Sequence, residues 1–352
     1  MSGAGWFLAC VLAAAFALDP AASWSRTPKG LLTVVVIVIA DLARRQGRLG
    51  RTTAVLMVSA GLAAIFGLAS FVANGAGMAA RARGAVGHYM TFGGQLLLLG
   101  SLAAGILIAT RARRWKAGAA ALLALVLPAL GATFTRSAWI GFAVSLATIS
   151  AVRRPRWTLP LLAALALAVA LAPTPYRARA LSAFDPHHPA NLQRTYMWQA
   201  GARMFREHPV TGVGLEDLKP IYERYKVPGA TEPAGHLHSV PVQIAATMGL
   251  AGLLAFVWLY GSFVNVALAG LARSLRDEGL EAGIRLGVLG ALAGFLVAGL
   301  FEWNFGDEEL LYLLFTLVGL AWAARPRALT AASAPPGPPA ARAAETASAV
   351  PA

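Results

Sequence analysis

A chain of 352 residues that is 57% hydrophobic and only 13% charged has too little polar surface for a water-soluble domain and reads as a polytopic membrane protein. The net charge of +14 does not point to nucleic acid, because the basic residues sit in short clusters between apolar segments, the pattern that orients a membrane protein. A single cysteine, Cys10, rules out an intramolecular disulfide and a cysteine metal cluster.

Ten apolar runs follow in chain order, at about 4–18, 30–42, 53–73, 88–110, 117–135, 137–152, 157–172, 241–268, 283–301 and 309–324, each near the length of a bilayer crossing. The first has no basic residues before it and no small-residue cleavage site, so no removed signal peptide is expected. Lys and Arg cluster at 44–51, 111–116, 153–156 and 273–276 and at Arg325 and Arg327, which assigns these loops to the cytoplasm. Alternation then makes 74–87, the turn at Arg136, the long loop 173–240 and the acidic turn 302–309 external. The expected fold is an all-α transmembrane bundle of about ten spans over residues 1–325, with one large, partly helical external loop. Residues 326–352, rich in Ala and Pro, read as a disordered cytoplasmic tail. No repeat with a period of 20–50 residues is evident.

The chemistry-bearing residues gather in the external segments. In the loop, Asn191 is placed as the N-cap of a helix running to about Phe205 and ending before Pro209. Arg194 and Trp198 share a face of that helix. Such a pair anchors at a membrane interface, or the arginine holds a diphosphate. Gly212 and Gly214 allow a tight turn with close backbone approach, without the third glycine of a dinucleotide loop. His236 and His238 fall on one side of an extended segment, and Ser239 and Pro241 supply the N-cap and first-turn proline of the next span. An imidazole just before a helix N-terminus, where the dipole favours anions, is a candidate general base. The two histidines are otherwise solvated loop residues, or a zinc site that lacks an obvious third ligand. Arg136 lies within a long apolar stretch, where a charge needs a cavity or a partner. Arg81, Arg83 and His88 add positive charge on the same external side, against the usual bias, as an anion site would. Glu302 and Asp307 would hold an ion or the arginines, or simply cap the last helices.

These residues resemble the O-antigen ligase family, which includes related lipid-linked polysaccharide polymerases. The resemblance rests on R-x3-W at Arg194 and Trp198, HPVTGVG at 208–214, H-x-H at His236 and His238, and the span that begins PVQIAATMGLAGLLAF. RARGAVGH, TRSAW and FEWNFGDEELLYLL support it, so that roughly residues 75–320 are covered. Ser239 stands where such proteins often have Asn, and Met248 where they often have an acidic residue. The resemblance implies a multi-pass protein of the bacterial inner membrane whose active face is periplasmic. It would transfer a polysaccharide from undecaprenyl diphosphate to a hydroxyl of lipid A-core; the external segments hold no Asp-x-Asp pair, which argues against metal-dependent diphosphate binding, and no cofactor is expected. Arg194, Arg136 and Arg81 or Arg83 would hold the diphosphate and His238 would act as base, supported by His236. A polymerase using a second lipid-linked repeat unit as acceptor has the same chemistry. A transporter of lipid anions would instead need charges accessible from both faces.

Overall fold

The computed structural model describes residues 1–215 and 217–325, and each of the ten apolar runs falls on a helix. In chain order the helices are α1 (Ser2–Ala15), α2 (Pro20–Trp24), α3 (Val34–Arg44), α4 (Leu49–Ala73), α5 (Tyr89–Ala109), α6 (Arg113–Ala132), α7 (Arg136–Arg153), α8 (Thr158–Leu171), α9 (Thr174–Leu181), α10 (Pro189–Glu207), α11 (Leu218–Tyr225), α12 (Val240–Leu268), α13 (Leu271–Asp277), α14 (Leu280–Ala298) and α15 (Glu308–Ala323). Among the described residues no strand occurs. The expected tail, 326–352, lies outside them. Five helical stretches are long and apolar enough to cross a membrane, namely Leu49–Ala73, Tyr89–Ala109, Arg113–Ala132, Val240–Asp277 and Leu280–Ala298. The chain is therefore an all-helical membrane protein.

Small residues set the centre of the bundle. α14 packs against α5 and α7 with backbones so close that a Cβ on Gly105 would collide with the backbone of Gly287, and one on Gly141 with the carbonyl of Gly294. In lipid, where apolar side chains gain nothing by leaving the solvent, such close approach and interhelical hydrogen bonds hold helices together. Ser145 Oγ donates to Ser101 Oγ at 2.6 Å across the same seam. Around this core, α4 and α8 present exposed leucines, valines and isoleucines such as Val58, Leu62, Leu159 and Leu167, an apolar belt suited to lipid.

The basic loops meet at one end of the bundle. Arg111 and Arg153 both pair with Glu278, and Arg44 donates to the Trp322 carbonyl at 2.9 Å. Arg285, fully buried in α14, donates to the carbonyls of Ala267 and Ala269, groups that the end of α12 leaves without helical partners. The opposite end carries the loop residues, Arg136 and the 302–309 turn.

The helix α12 is broken at Gly249 (φ 61°, ψ −155°), a conformation that is essentially restricted to glycine. The HPVTGVG segment fills the break. Leu250 and Ala251 donate to the carbonyls of Pro209 and Val210 at 2.8 and 3.1 Å, while Val213 and Gly214 donate to those of Ala246 and Thr247 at 2.9 and 3.1 Å. The close approach expected at Gly212 and Gly214 is thus real, but its partner is the backbone of α12: a Cβ on Gly212 would run into Thr247 and Met248. Backbone groups freed at membrane depth must be satisfied by protein, and this segment satisfies them. Gly249→Ala is expected to cost at least about 1–3 kcal/mol from the dihedral alone, with the clash against Val210 in addition. Thermal unfolding of the purified variant checks this, and an unchanged Tm would show that α12 tolerates a straight path.

Candidate functional site

Three side chains from two separated segments converge on the carboxylate of a third, that of Glu302. Helix α10 begins at Pro189, with His188 as its N-cap accepting from the Ala190 N–H through Nδ1 at 3.3 Å. This corrects the expectation for Asn191. A proline at the first helical position, whose missing N–H costs nothing there, moves the start upstream of Asn191. The asparagine is freed for tertiary work: its amide accepts from Arg136 Nη2 at 2.8 Å and donates to the carbonyls of Ser182 and Asp185. The helix continues to Glu207, still short of Pro209.

From α10, Arg194 reaches Glu302, Nη2 to Oε2 at 3.3 Å, with the two side chains only 16% and 12% exposed. One turn on, Trp198 Nε1 donates to the Leu237 carbonyl at 3.1 Å, which fastens the histidine segment to the same helix face. Leu237 turns inward, into the small core formed by α10, α11 and the start of α12. Its neighbours therefore turn the other way, as an extended backbone requires, and the rings of His236 and His238 lie 4.2 Å apart. His238 Nδ1 is 2.9 Å and His236 Nε2 is 3.5 Å from Glu302 Oε1. His238 is held at φ 47°, an uncommon conformation for a non-glycine residue. Ser239 and Pro241 do open α12, as expected, although no side-chain cap bond forms.

Burial alone would raise the pKa of Glu302, but hydrogen bonds from His236 and His238 and the positive charge of Arg194 hold it well below the ordinary carboxylate range. An ionised carboxylate accepts hydrogen bonds and cannot donate them. His238 must therefore present Nδ1–H to it, which leaves Nε2 as the free acceptor. Because the folded pKa is depressed, the contribution of Glu302 to stability is complete above the ordinary carboxylate pKa and is lost as the pH falls through the folded value. The Tm difference between the wild-type protein and Glu302→Gln should be largest near neutral pH and shrink below about pH 4.5. A difference independent of pH would mean that the cluster does not hold the ionised form.

Beside this cluster lies a basin of arginines. Arg136, buried at the start of α7, donates through Nη1 to the Ser182 carbonyl and hydroxyl at 2.6 and 3.1 Å and through Nη2 to Asn191. All these partners are neutral. Arg179 of α9 donates to the Phe134 carbonyl at 3.1 Å, and its pKa is lowered first by burial and then by the charges of Arg81 and Arg194. Arg81 lies over the Tyr89 ring, 4.5 Å from its centroid. Among the described residues, only Arg194 of these four is paired with a carboxylate. Guanidinium groups that repel one another, three of them held on neutral partners, suit a polyanion.

The remaining expected residues spread outward. Arg83 is exposed. His88, also exposed, stacks on Tyr89 at 4.8 Å at the edge of the basin. Asp307 accepts from Thr91 Oγ1 at 2.8 Å, and burial, with Glu302 and Glu309 nearby, raises its pKa despite that bond. One participant escaped sequence reasoning, and another was named only in a supporting role. Arg179 sat among other basic residues in TPYRARAL with no feature to single it out, and Glu302 could be named only as a helper, since nothing local reveals that it joins both histidines to Arg194. It also supplies the third ligand whose lack counted against zinc: the ligand atoms of His236, His238 and Glu302 lie within 4.8 Å of one another, and two histidines with a carboxylate are a zinc-type donor set. Arg194 lies on the other oxygen of that carboxylate, Oε2, at 3.3 Å, and its charge opposes a second cation there.

Residues 119–257 match the family model described as O-antigen ligase. The matched stretch runs from α6 to α12 and includes Arg136, Arg179, Arg194, His236 and His238; Arg81 and Glu302 lie outside it. No curated protein matches the chain. Over that stretch the chain is similar to the O-antigen ligase domain, which suggests glycan transfer of the ligase or polymerase type.

Proposed function

We propose that this chain, with its O-antigen ligase domain at 119–257, transfers a polysaccharide from undecaprenyl diphosphate to a hydroxyl of lipid A-core at the periplasmic face of the bacterial inner membrane. About ten spans would carry it, the shorter apolar helices crossing together with the five long ones. The observation that carries the reading is the pairing of an arginine basin with a carboxylate-oriented histidine.

The reaction needs two things. The acceptor oxygen must lose its proton as it bonds to the anomeric carbon, and the bond from that carbon to the diphosphate oxygen must break, with the electron pair leaving on diphosphate. His238 Nε2 takes the proton, with Glu302 stabilising the imidazolium that forms. Arg136, Arg179, Arg194 and Arg81 take up the charge that grows on the diphosphate, and their planar forks suit its oxygens. A charge pair about 4 Å apart at an effective dielectric of about 20 is worth roughly 4 kcal/mol before desolvation, so several arginines supply much of the stabilisation without a metal ion. His236 supports the same carboxylate.

Purified protein given lipid-linked donor and lipid A-core should form the glycoconjugate in a single compartment, which a transporter cannot do. Activity should survive EDTA unchanged; loss that zinc restores would reassign His236, His238 and Glu302 as metal ligands. In a deletion strain, loss of all capped lipopolysaccharide supports a ligase, whereas capping with single repeat units indicates the polymerase.

A further inference from the structure

A second cavity, of about 250 Å³, borders the histidine pair. Its walls come from α1, the turn Thr27–Thr33, α12 and the turn Trp303–Gly306, and none of the four basin arginines lines it. His236 is the one member of the histidine–Glu302 cluster that does. Its side chain is 41% exposed, and its ring lies beside that of His238. The cavity and the basin thus both adjoin the cluster, the cavity through His236 and the basin through Arg194.

The lining defines the occupant. Trp6, Phe305 and Met248 give it apolar surface, and α1 turns Leu8, Leu12 and Phe16 outward toward lipid. The rim carries Arg26 and Lys29, and among the described residues no carboxylate lines the cavity. Lys29 is engaged with Glu308 at 2.8 Å, which leaves the exposed Arg26 as the lining cation without a carboxylate partner among the described residues. An amphiphile with a negative charge near its polar end fits these features.

We propose that this cavity is the acceptor's site, and that it selects a membrane-anchored glycan bearing a phosphate close to the hydroxyl to be glycosylated. The inference rests on the transferase reading above. The acceptor's apolar anchor lies along α1, its phosphate meets Arg26, and its hydroxyl passes His236 to reach His238.

The test uses the full chain in nanodiscs, with two acceptors: a core-oligosaccharide lipid carrying its sugar phosphates, and the same lipid after phosphatase treatment. Arg26→Ala should raise KM for the phosphorylated acceptor at least tenfold while leaving kcat, the donor KM and the KM for the dephosphorylated acceptor unchanged. Cys10→Phe, which fills the cavity from α1, should raise KM for both acceptors. An equal effect of Arg26→Ala on both acceptors, a shift in donor KM, or no change in acceptor KM overturns the proposal. Direct binding of the two lipids separates this from failure of the transferase reading. If the wild-type protein forms no conjugate yet binds the phosphorylated lipid tenfold more tightly than Arg26→Ala does, the chemistry is wrong and the site stands. Equal binding by both proteins removes the site.

Discussion

Replacing His238 by alanine should lower kcat about 10²–10⁴-fold, the usual contribution of a positioned proton acceptor, while the donor KM stays within about twofold. The expectation follows from the 2.9 Å contact between His238 Nδ1 and Glu302, which in the proposed reaction leaves Nε2 to take the acceptor's proton. Glu302→Gln should lose nearly as much, because an amide can offer its N–H to Nδ1 and turn the ring into the wrong tautomer. Groups that act as a unit are far from additive, so the double variant should be little worse than either single one. Multiplicative losses would show that the two act separately. His236→Ala should cost less, since its 3.5 Å contact supports the carboxylate without orienting the base.

Much of this was legible in the sequence, and the failures are instructive. The apolar runs became helices because a backbone in lipid has no other way to satisfy its polar groups. The two-residue spacing of His236 and His238 placed both rings on one side because Leu237 between them seeks the small core of the loop. What could not be read was which apolar helix lies at the centre. In lipid a helix can be hydrophobic all round, so hydropathy does not tell the mostly buried α5 and α14 from the largely exposed α4 and α6; the deciding contacts are backbone approaches at Gly105, Gly141, Gly287 and Gly294. Asn191 was misassigned because asparagine suits a helix cap and an arginine-holding amide equally, though the adjacent His188-Pro189 pair carried the correct signal. Glu302 is separated by 64 residues from His238 and by 108 from Arg194, and only folding reveals that link.

Arg194→Ala should reduce kcat by about 10²–10³, the range for removing one donor from a preorganised oxyanion-type site. It should also leave Glu302 buried with one cation fewer, so thermal stability falls together with activity. Arg194→Lys separates these effects. Lysine restores the charge near Glu302 and should recover most of the Tm, but it lacks the planar fork that binds two phosphate oxygens at once, so transfer should stay depressed. Arg136 gives the converse test. Its guanidinium holds Ser182 and Asn191 and so joins α7 to the end of α9 and the start of α10; Arg136→Ala should loosen the loop toward proteolysis as well as slow transfer. If the arginines serve the diphosphate, each of these variants should also weaken inhibition by inorganic pyrophosphate, an effect that a purely structural role would not produce. Unchanged inhibition in a folded Arg194→Lys protein would remove Arg194 from the donor site and leave it as a clamp on Glu302.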